Sequence, residues 1–396
     1  MDSHPRLLSI DVLRGSVMLL MALDHVRDFF HVGAMQFSPT DLTRTTAFLF
    51  LTRWITHFCL PVFMFTAGIG IFLWQQRTDR TRAQVSRFLW TRGAWFIVLE
   101  CSVMQLAYNF NFSRQFLVLL LILWIFGICM VVMAALVYLP HRWLAALSLA
   151  VIALHNCLDP VLASRFGSAG WLWNLLHQPG LITFAGRQAL VPYTLLPWVA
   201  VMAAGFCFGK VLLLESPARQ RTMLWIGLSA TIAFLALRAI NLYGDPAPWS
   251  VQISAVFTVL SFLNCTKYPA SLDFLLMTLG PALILISYLD RCSLKAANAL
   301  AVFGRVPLFY FVLHFYLIHA LAVMMAWFRY GRPAFGFMWN PLPSLRGPSQ
   351  LFPAGFGYSL GTVYLMWAVV ILLLYPLCRW FAKVKATRHG WWLSYL

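Results

Sequence analysis

Apolar residues run through this chain in long blocks, and the blocks set its architecture. A membrane-spanning helix needs about 20 mostly apolar residues. By that measure ten helices are expected, at about 9–30, 52–75, 88–108, 115–139, 143–158, 190–212, 222–240, 271–289, 297–327 and 357–380. The fifth is short for a span and the ninth is long. The pattern predicts an all-α, polytopic integral membrane protein. It reads as a single domain over 1–396, with no soluble appendage, low-complexity segment or internal sequence repeat.

The first block breaks the apolar rule. RLLSIDVLRGSVMLLMALDHVRDFFH carries Asp11, Arg14, Asp24, His25, Arg27, Asp28 and His31. At about 100° per residue, Asp11, Arg14, Met18, Met21, His25 and Asp28 fall along one side of a helix. Arg14 and His25 then share a face and lie roughly 16 Å apart along the axis. Ionisable groups at such depth are costly and tend to face a polar interior or a working cavity. Asp11 and Arg14 also fit a plain i, i+3 pair that anchors a helix start. Asp24, His25, Asp28 and His31 crowd too many titratable groups into one stretch for packing alone.

Composition agrees with a membrane protein. Of 396 residues, 61% are hydrophobic and only 10% charged, against about a quarter charged in soluble domains; the mean hydropathy is +0.77. No cleavable signal is expected, because the first apolar stretch holds Asp11 and Arg14 and lacks a small-residue cleavage site. The net charge of +17 does not signal nucleic acid, since no basic, aromatic-interleaved soluble domain exists to bind it. It comes from loops. Arg77, Arg80, Arg82, Arg87, Arg92, Arg142, Lys210, Arg219, Arg221, Arg291, Lys295 and the basic tail fall on one side if ten helices are counted. The positive-inside rule then places both termini in the cytoplasm and His25 to His31 at the outer end of helix 1. The opposite loops, at about 31–50, 159–189, 241–270 and 328–356, are long and rich in Trp, Gly, Pro and Asn. They serve either as a lid over an outward-facing pocket or as ordinary interfacial loops.

The eight cysteines are scattered through apolar segments with no C-x-x-C and no metal-ligand spacing, so no metal is expected. No Walker A, H-E-x-x-H, G-x-S-x-G or dinucleotide fingerprint occurs. The other candidates are polar residues inside apolar blocks. Arg53, His57 and Pro61 share a helix face, and Pro61 frees the carbonyl of His57, which suits a functional kink. Arg53 is alternatively a snorkelling residue. Glu100 is expected to bond an arginine or histidine on a neighbouring helix. His314 and His319 lie about 140° apart, so one faces a site while the other holds a neighbour, with His314 the candidate. Lys267 either meets an anionic acceptor or marks the interface.

Several of these blocks carry a resemblance. SIDVLRG followed by MLLMALDHVRDFFH, TRWITHFCLPVFMFTAG (52–68), NLYGDPAPW (241–249), FLNCTKYPASLDFLLMTLGP (262–281), GRVPLFYFVLHFYLIH (304–319) and the WWLSYL end are similar to the heparan-α-glucosaminide N-acetyltransferase-like family of bacterial membrane proteins. The resemblance covers nearly the whole chain. Its animal lysosomal members move acetyl from cytosolic acetyl-CoA to a glucosamine amine across a membrane. His25 stands where those enzymes have an asparagine. Their catalytic histidine comes past the helix end, where His31 is the nearest candidate here. His57 aligns with a family aspartate. A second likeness, to the membrane O-acyltransferases of bacterial surface polysaccharides, rests on an arginine and a histidine spaced as Arg14 and His25 are.

Together these imply an acyltransferase of the bacterial inner membrane, using acetyl-CoA as co-substrate. Arg14, with Asp11, would belong to the donor site. His25 would be the general base, with Asp24 or Asp28 orienting it and His31 and His57 as further candidates. Arg53, Lys267 and His314 would meet a sugar amine, sugar hydroxyl or other small acceptor. Contact with membrane lipid follows from the spans, and the exposed aromatic loops leave room for a homodimer. Proton-coupled transport of a small molecule or envelope precursor is the alternative, because buried Asp, His and Arg groups also build proton relays.

Overall fold

The computed structural model describes residues 7–77, 80–113, 116–184, 186–291, 295–388, 390, 393 and 395. Cys292 and most of the WWLSYL end lie outside the described residues, as do the side chains of Arg77 and Lys295. Helix α1 (Leu8–Phe30) is the element around which the others pack. The segment predicted as one span at 52–75 forms α2 (Ala47–Ile55), a 3₁₀ turn (Thr56–Phe58) and α3 (Cys59–Arg77). The three follow one another as a single span, Ala47–Gln76, whose 3₁₀ turn at His57 lies just ahead of Pro61.

Next come α4 (Arg82–Leu99), a π-helical turn (Glu100–Met104) and α5 (Gln105–Asn109). Helix α6 (Ile122–Leu136) starts later than expected, because the chain before it is extended and forms strand β1 (Val118–Leu119). After α7 (His141–Leu154) and α8 (Gly170–Leu176) come strands β2 (Gly180–Phe184) and β3 (Arg187–Val191). The three strands form a small sheet in the order β1-β3-β2, with β3 antiparallel to β2 and parallel to β1. The apolar-block reading predicted no sheet, since strands this short leave little trace beside helical blocks.

The rest is helical: α9 (Leu195–Phe208), α10 (Ser216–Ile240), α11 (Ala255–Leu263), α12 (Leu272–Leu289), α13 (Lys295–Arg305), α14 (Pro307–Tyr330), α15 (Pro333–Met338) and α16 (Leu360–Thr387). The long span expected at 297–327 is two helices. Val306, at φ −129° and ψ 50°, breaks it, because a residue before proline is pushed out of the helical region. Each of the ten expected blocks contains helix. Among the described residues, six helices are long and apolar enough to cross a membrane, or seven if the bent pair His141–Leu158 and Ala163–Leu176 is one span. The protein is an integral membrane protein.

Helix α1 lies against α3, α12, α13, α14 and α16. Its contact with α13 is the closest. A Cβ on Gly15 would sit 1.9 Å from the Leu300 carbonyl oxygen, and one on Gly304 would sit 2.0 Å from that of Asp11. Small residues that let two backbones meet are a usual device between membrane helices.

At the Phe30 end of α1 the long loops converge. Asn264 donates to the Thr40 carbonyl at 3.1 Å, and Ser344 to that of Asp28 at 2.6 Å. The Tyr358 amide donates to Phe30, and His155 reaches the Ala270 carbonyl at 2.8 Å. The loops are therefore tied to one another and to the end of α1.

Candidate functional site

Asp24 is the hub of the loop-covered end. Arg27, one turn on, reaches its Oδ1 at 2.7 Å, and Thr56 donates to the same oxygen at 2.9 Å. Arg53 pairs with the other oxygen, Oδ2. Arg27 also donates to Asp28 at 2.6 Å. Buried Asp24 and half-buried Asp28 are thus matched by two arginines, which is how ions survive away from water. The i, i+3 spacing of Asp24 and Arg27 is the sequence signal that marks Arg27 as a member of this lattice.

His25 points away from this lattice. Its Nδ1 is 4.0 Å from Asp28 Oδ2, beyond hydrogen-bonding distance. Its ring packs instead against two tilted rings, with its centroid 4.1 Å from Phe315 and 5.2 Å from His314. His314 is buried. Its Nδ1 donates to the Tyr310 carbonyl at 3.1 Å, and its Nε2 has no hydrogen-bond partner among the described residues. His319, on another face of α14, donates to the Ala107 carbonyl at 2.8 Å. The two histidines divide as their angular separation requires, one beside His25 and one holding α5.

His31 lies at the end of α1, where its Nδ1 accepts from the Gly33 amide at 3.1 Å. It caps the following 3₁₀ turn, Val32–Met35. His57 is buried in the 3₁₀ turn of the Ala47–Gln76 span with its ring 5.3 Å from Phe274, and its Nδ1 has no hydrogen-bond partner among the described residues.

Lys267 and Tyr268 close the site from the loop. Tyr268 Oη lies 3.5 Å from Arg53 Nη2 and 3.3 Å from Tyr193 Oη, and Lys267 Nζ is 5.4 Å from the Tyr268 ring centre. The charges of Arg27, Arg53 and Lys267 all act on both Asp24 and His25. Burial works to raise the Tyr268 phenol, but Lys267 and Arg53 outweigh it and hold it below its ordinary value. The turn is rigidly held. Buried Arg238 donates to the carbonyls of Phe262, Ser261, Asn264 and Ala247. Asp245 accepts from Thr266 and Ser271. The NLYGDPAPW and FLNCTKYPASLDF blocks are thus one clamp, and its product is the position of Lys267 and Tyr268.

A cavity of about 360 Å³ opens along the earlier turns of α1, and His25 is not among its lining residues. Arg14, Met18 and Met21, the predicted stripe, line it, and Phe311 closes it near the histidines. Phe311 lies 5.6 Å from His314 and 5.5 Å from Phe315, ring to ring. Arg14 donates to the Thr66 carbonyl beside Gly70, where a Cβ would come within 3.0 Å of Arg14 Nη2. A second cation, Arg92, also lines the cavity, with its guanidinium over the rings of Phe96 and Phe88 at 5.2 and 5.7 Å. In the sequence Arg92 counted only as a loop charge, although Phe88 and Phe96 at i−4 and i+4 share its face. Asp11 is not on the cavity wall. It is buried against α13, with Oδ2 3.8 Å from Arg305 Nε.

Glu100 is fully buried, but its partners are not the expected arginine or histidine. It accepts from Tyr108 Oη at 2.9 Å and from the amides of Leu123 and Trp124 at 2.8 and 3.3 Å. A helix N-terminus supplies the positive end that a basic side chain would have supplied.

The model of a family described as "Heparan-alpha-glucosaminide N-acetyltransferase, catalytic" matches residues 6–243. The matched stretch includes α1, both cavity arginines, Glu100 and the hub around Asp24. Among curated proteins none matches the chain.

Proposed function

From a chain that belongs to the heparan-alpha-glucosaminide N-acetyltransferase family, we propose an enzyme that moves an acetyl group from acyl-CoA to a sugar amine or hydroxyl, with His25 as the base. The observation that carries the reading is the single face of α1, which lines an apolar cavity from Arg14 to Met21 and reaches His25 on the next turn. Family membership favours this over the transport alternative. In this reading the chain crosses the bacterial inner membrane ten times with both termini in the cytoplasm, so the Arg14 end opens to cytosolic donor.

Arg14 and Arg92 would hold the phosphates of CoA, where charge-assisted bonds are strong. The pantetheine arm would lie along Met18 and Met21, bringing the thioester carbonyl to His25. The acceptor nitrogen or oxygen attacks that carbon while His25 takes its proton. A C–N or C–O bond forms, the C–S bond breaks, and the imidazolium returns the proton to the leaving thiolate. The products are the acetylated acceptor and free CoA. Asp28, close to Nδ1, and Asp24 stabilise the imidazolium. Lys267 and Tyr268 face the acceptor or the developing oxyanion, and His314 backs the His25 ring. His31, as a cap, has a structural task in this scheme.

Calorimetric titration of the purified protein with acetyl-CoA and CoA tests the donor. Saturable binding of both, weakened by Arg14→Ala, is expected. A folded protein that binds neither at millimolar concentration refutes the reading.

A further inference from the structure

The acyltransferase reading gives no role to Glu100, the most deeply buried carboxylate among the described residues, and its surroundings supply one. Glu100 opens the π-helical turn Glu100–Met104. Such turns are rare and occur mostly at functional sites. Its Oε2 accepts the Leu123 and Trp124 amides, at the start of a helix whose own N-cap residue, Leu121, provides no side-chain cap. The first turn of α6 is therefore capped by a side chain from another helix. That turn is cavity wall, since Ile122, Leu123 and Phe126 line the donor cavity.

The other oxygen faces the opposite way. Oε1 accepts from Tyr108 at 2.9 Å, and the Tyr108 ring meets Phe315 edge-on at 5.1 Å. Phe315 is the ring against which His25 packs at a tilt. Two further bonds tie α14 to the same stretch. Tyr316 donates to the Val103 carbonyl, inside the π-turn, at 2.7 Å, and His319 donates to that of Ala107 at 2.8 Å. Gln105 fixes the chain ahead of α6, donating to the Leu119 carbonyl at 2.7 Å and accepting its amide at 3.2 Å. One carboxylate thus stands between the wall of the donor cavity and the backing of His25.

We propose that Glu100 and Tyr108 are positioning residues that hold the donor cavity and the His25 ring in one geometry. The proposal rests on the acyltransferase reading. A group displaced by about 1 Å can cost about a hundredfold in rate, so loosening either arm acts on transfer without touching a reacting atom.

The two arms separate by substitution. Tyr108→Phe keeps the ring, its edge contact with Phe315 and both amide bonds of Glu100, but removes the hydroxyl bond that ties this ring to Glu100. Glu100→Leu removes both arms. Glu100→Gln restores both, because the amide oxygen accepts from Leu123 and Trp124 while the amide nitrogen donates to Tyr108 Oη. Each variant is purified in detergent, checked for folding, and assayed for acetyl-CoA affinity by calorimetry and for transfer rate at saturating donor.

Tyr108→Phe is expected to leave the affinity unchanged and lower the rate about tenfold; Glu100→Leu weakens affinity about tenfold and lowers the rate about a hundredfold; Glu100→Gln stays within about threefold of the parent in both. A purely structural carboxylate would scale the active fraction and leave the affinity and rate of the folded fraction unmoved, which overturns the proposal. A Tyr108→Phe variant at the parent rate also overturns it. If Glu100→Leu fails to fold, the other two variants decide. Parent protein that binds no donor refutes the acyltransferase reading itself, an outcome distinct from variants that match an active parent.

Discussion

Arg53 on α2 and Asp24 on α1 form a largely buried ion pair that ties the Ala47–Gln76 span to the helix carrying His25. The same carboxylate holds Arg27 and Thr56, so its removal leaves two guanidinium groups short of charge at once. Breaking a buried pair from one side costs about 3–5 kcal/mol, because the remaining ion is stranded. Asp24→Asn is therefore expected to lower the melting temperature in detergent and to reduce transfer more than a hundredfold. Asp24→Asn with parental stability and rate would show that the lattice is held without this charge.

The two histidines flanking Asp28 should separate cleanly. His25 packs beside His314 and Phe315, whereas His31 spends its Nδ1 on the Gly33 amide. His25→Ala is expected to abolish transfer while donor binding persists. His31→Ala should cost about 1 kcal/mol as a lost cap and keep transfer within severalfold. Steady-state rates alongside calorimetric donor affinity give the answer. If His31→Ala is dead and His25→Ala active, the base lies past the helix end, as in the lysosomal relatives.

How far the chain could be read without coordinates depends on the range of each interaction. The stripe from Arg14 to His25 was legible because both residues sit on one helix, where 3.6-residue periodicity decides the face. The apolar blocks were legible by their length, and each contains helix, although six or seven helices among the described residues are long and apolar enough to span. Partners far apart in sequence were not. Nothing local says that Glu100 caps α6, or that Arg238 gathers four carbonyls to set Lys267. The break at Val306 was foreshadowed by Pro307, but an apolar count runs straight through it. Asp11 shares a face with Arg14 on paper, yet the close approach of Gly304 turns it to α13, and only packing reveals that.

Arg92 should prove as important to the donor as Arg14. Both line the cavity, and Arg92 is held over two aromatic rings. A hydrogen bond to a charged group contributes about 1.5–3 kcal/mol, so Arg92→Ala should weaken acetyl-CoA binding at least tenfold. Arg92→Lys keeps the charge but loses the planar group that stacks and binds phosphate in two places, and should recover only part of the affinity. Dephospho-CoA provides the control. If Arg92 meets the 3′-phosphate of CoA, the loss on Arg92→Ala is smaller with dephospho-CoA, which lacks only that group. An equal loss with both ligands places Arg92 away from the 3′-phosphate, at the diphosphate or in the cavity wall.

The contact between α1 and α13 predicts a stability defect that spares chemistry. A methyl group at Gly304 would meet the Asp11 carbonyl oxygen at 2.0 Å, and this neighbour is backbone that cannot rotate away. Gly304→Ala must therefore push the helices apart. Overpacking of this kind costs about 1–3 kcal/mol. The strain enters near Asp11, about three to four turns from His25 along α1. Gly304→Ala is expected to melt earlier in detergent, while the rate per folded molecule stays near that of the parent. A rate that falls along with stability would mean that α1 moves as a rigid rod and carries the displacement to His25, so that the seat of this helix on α13 sets the geometry of the base.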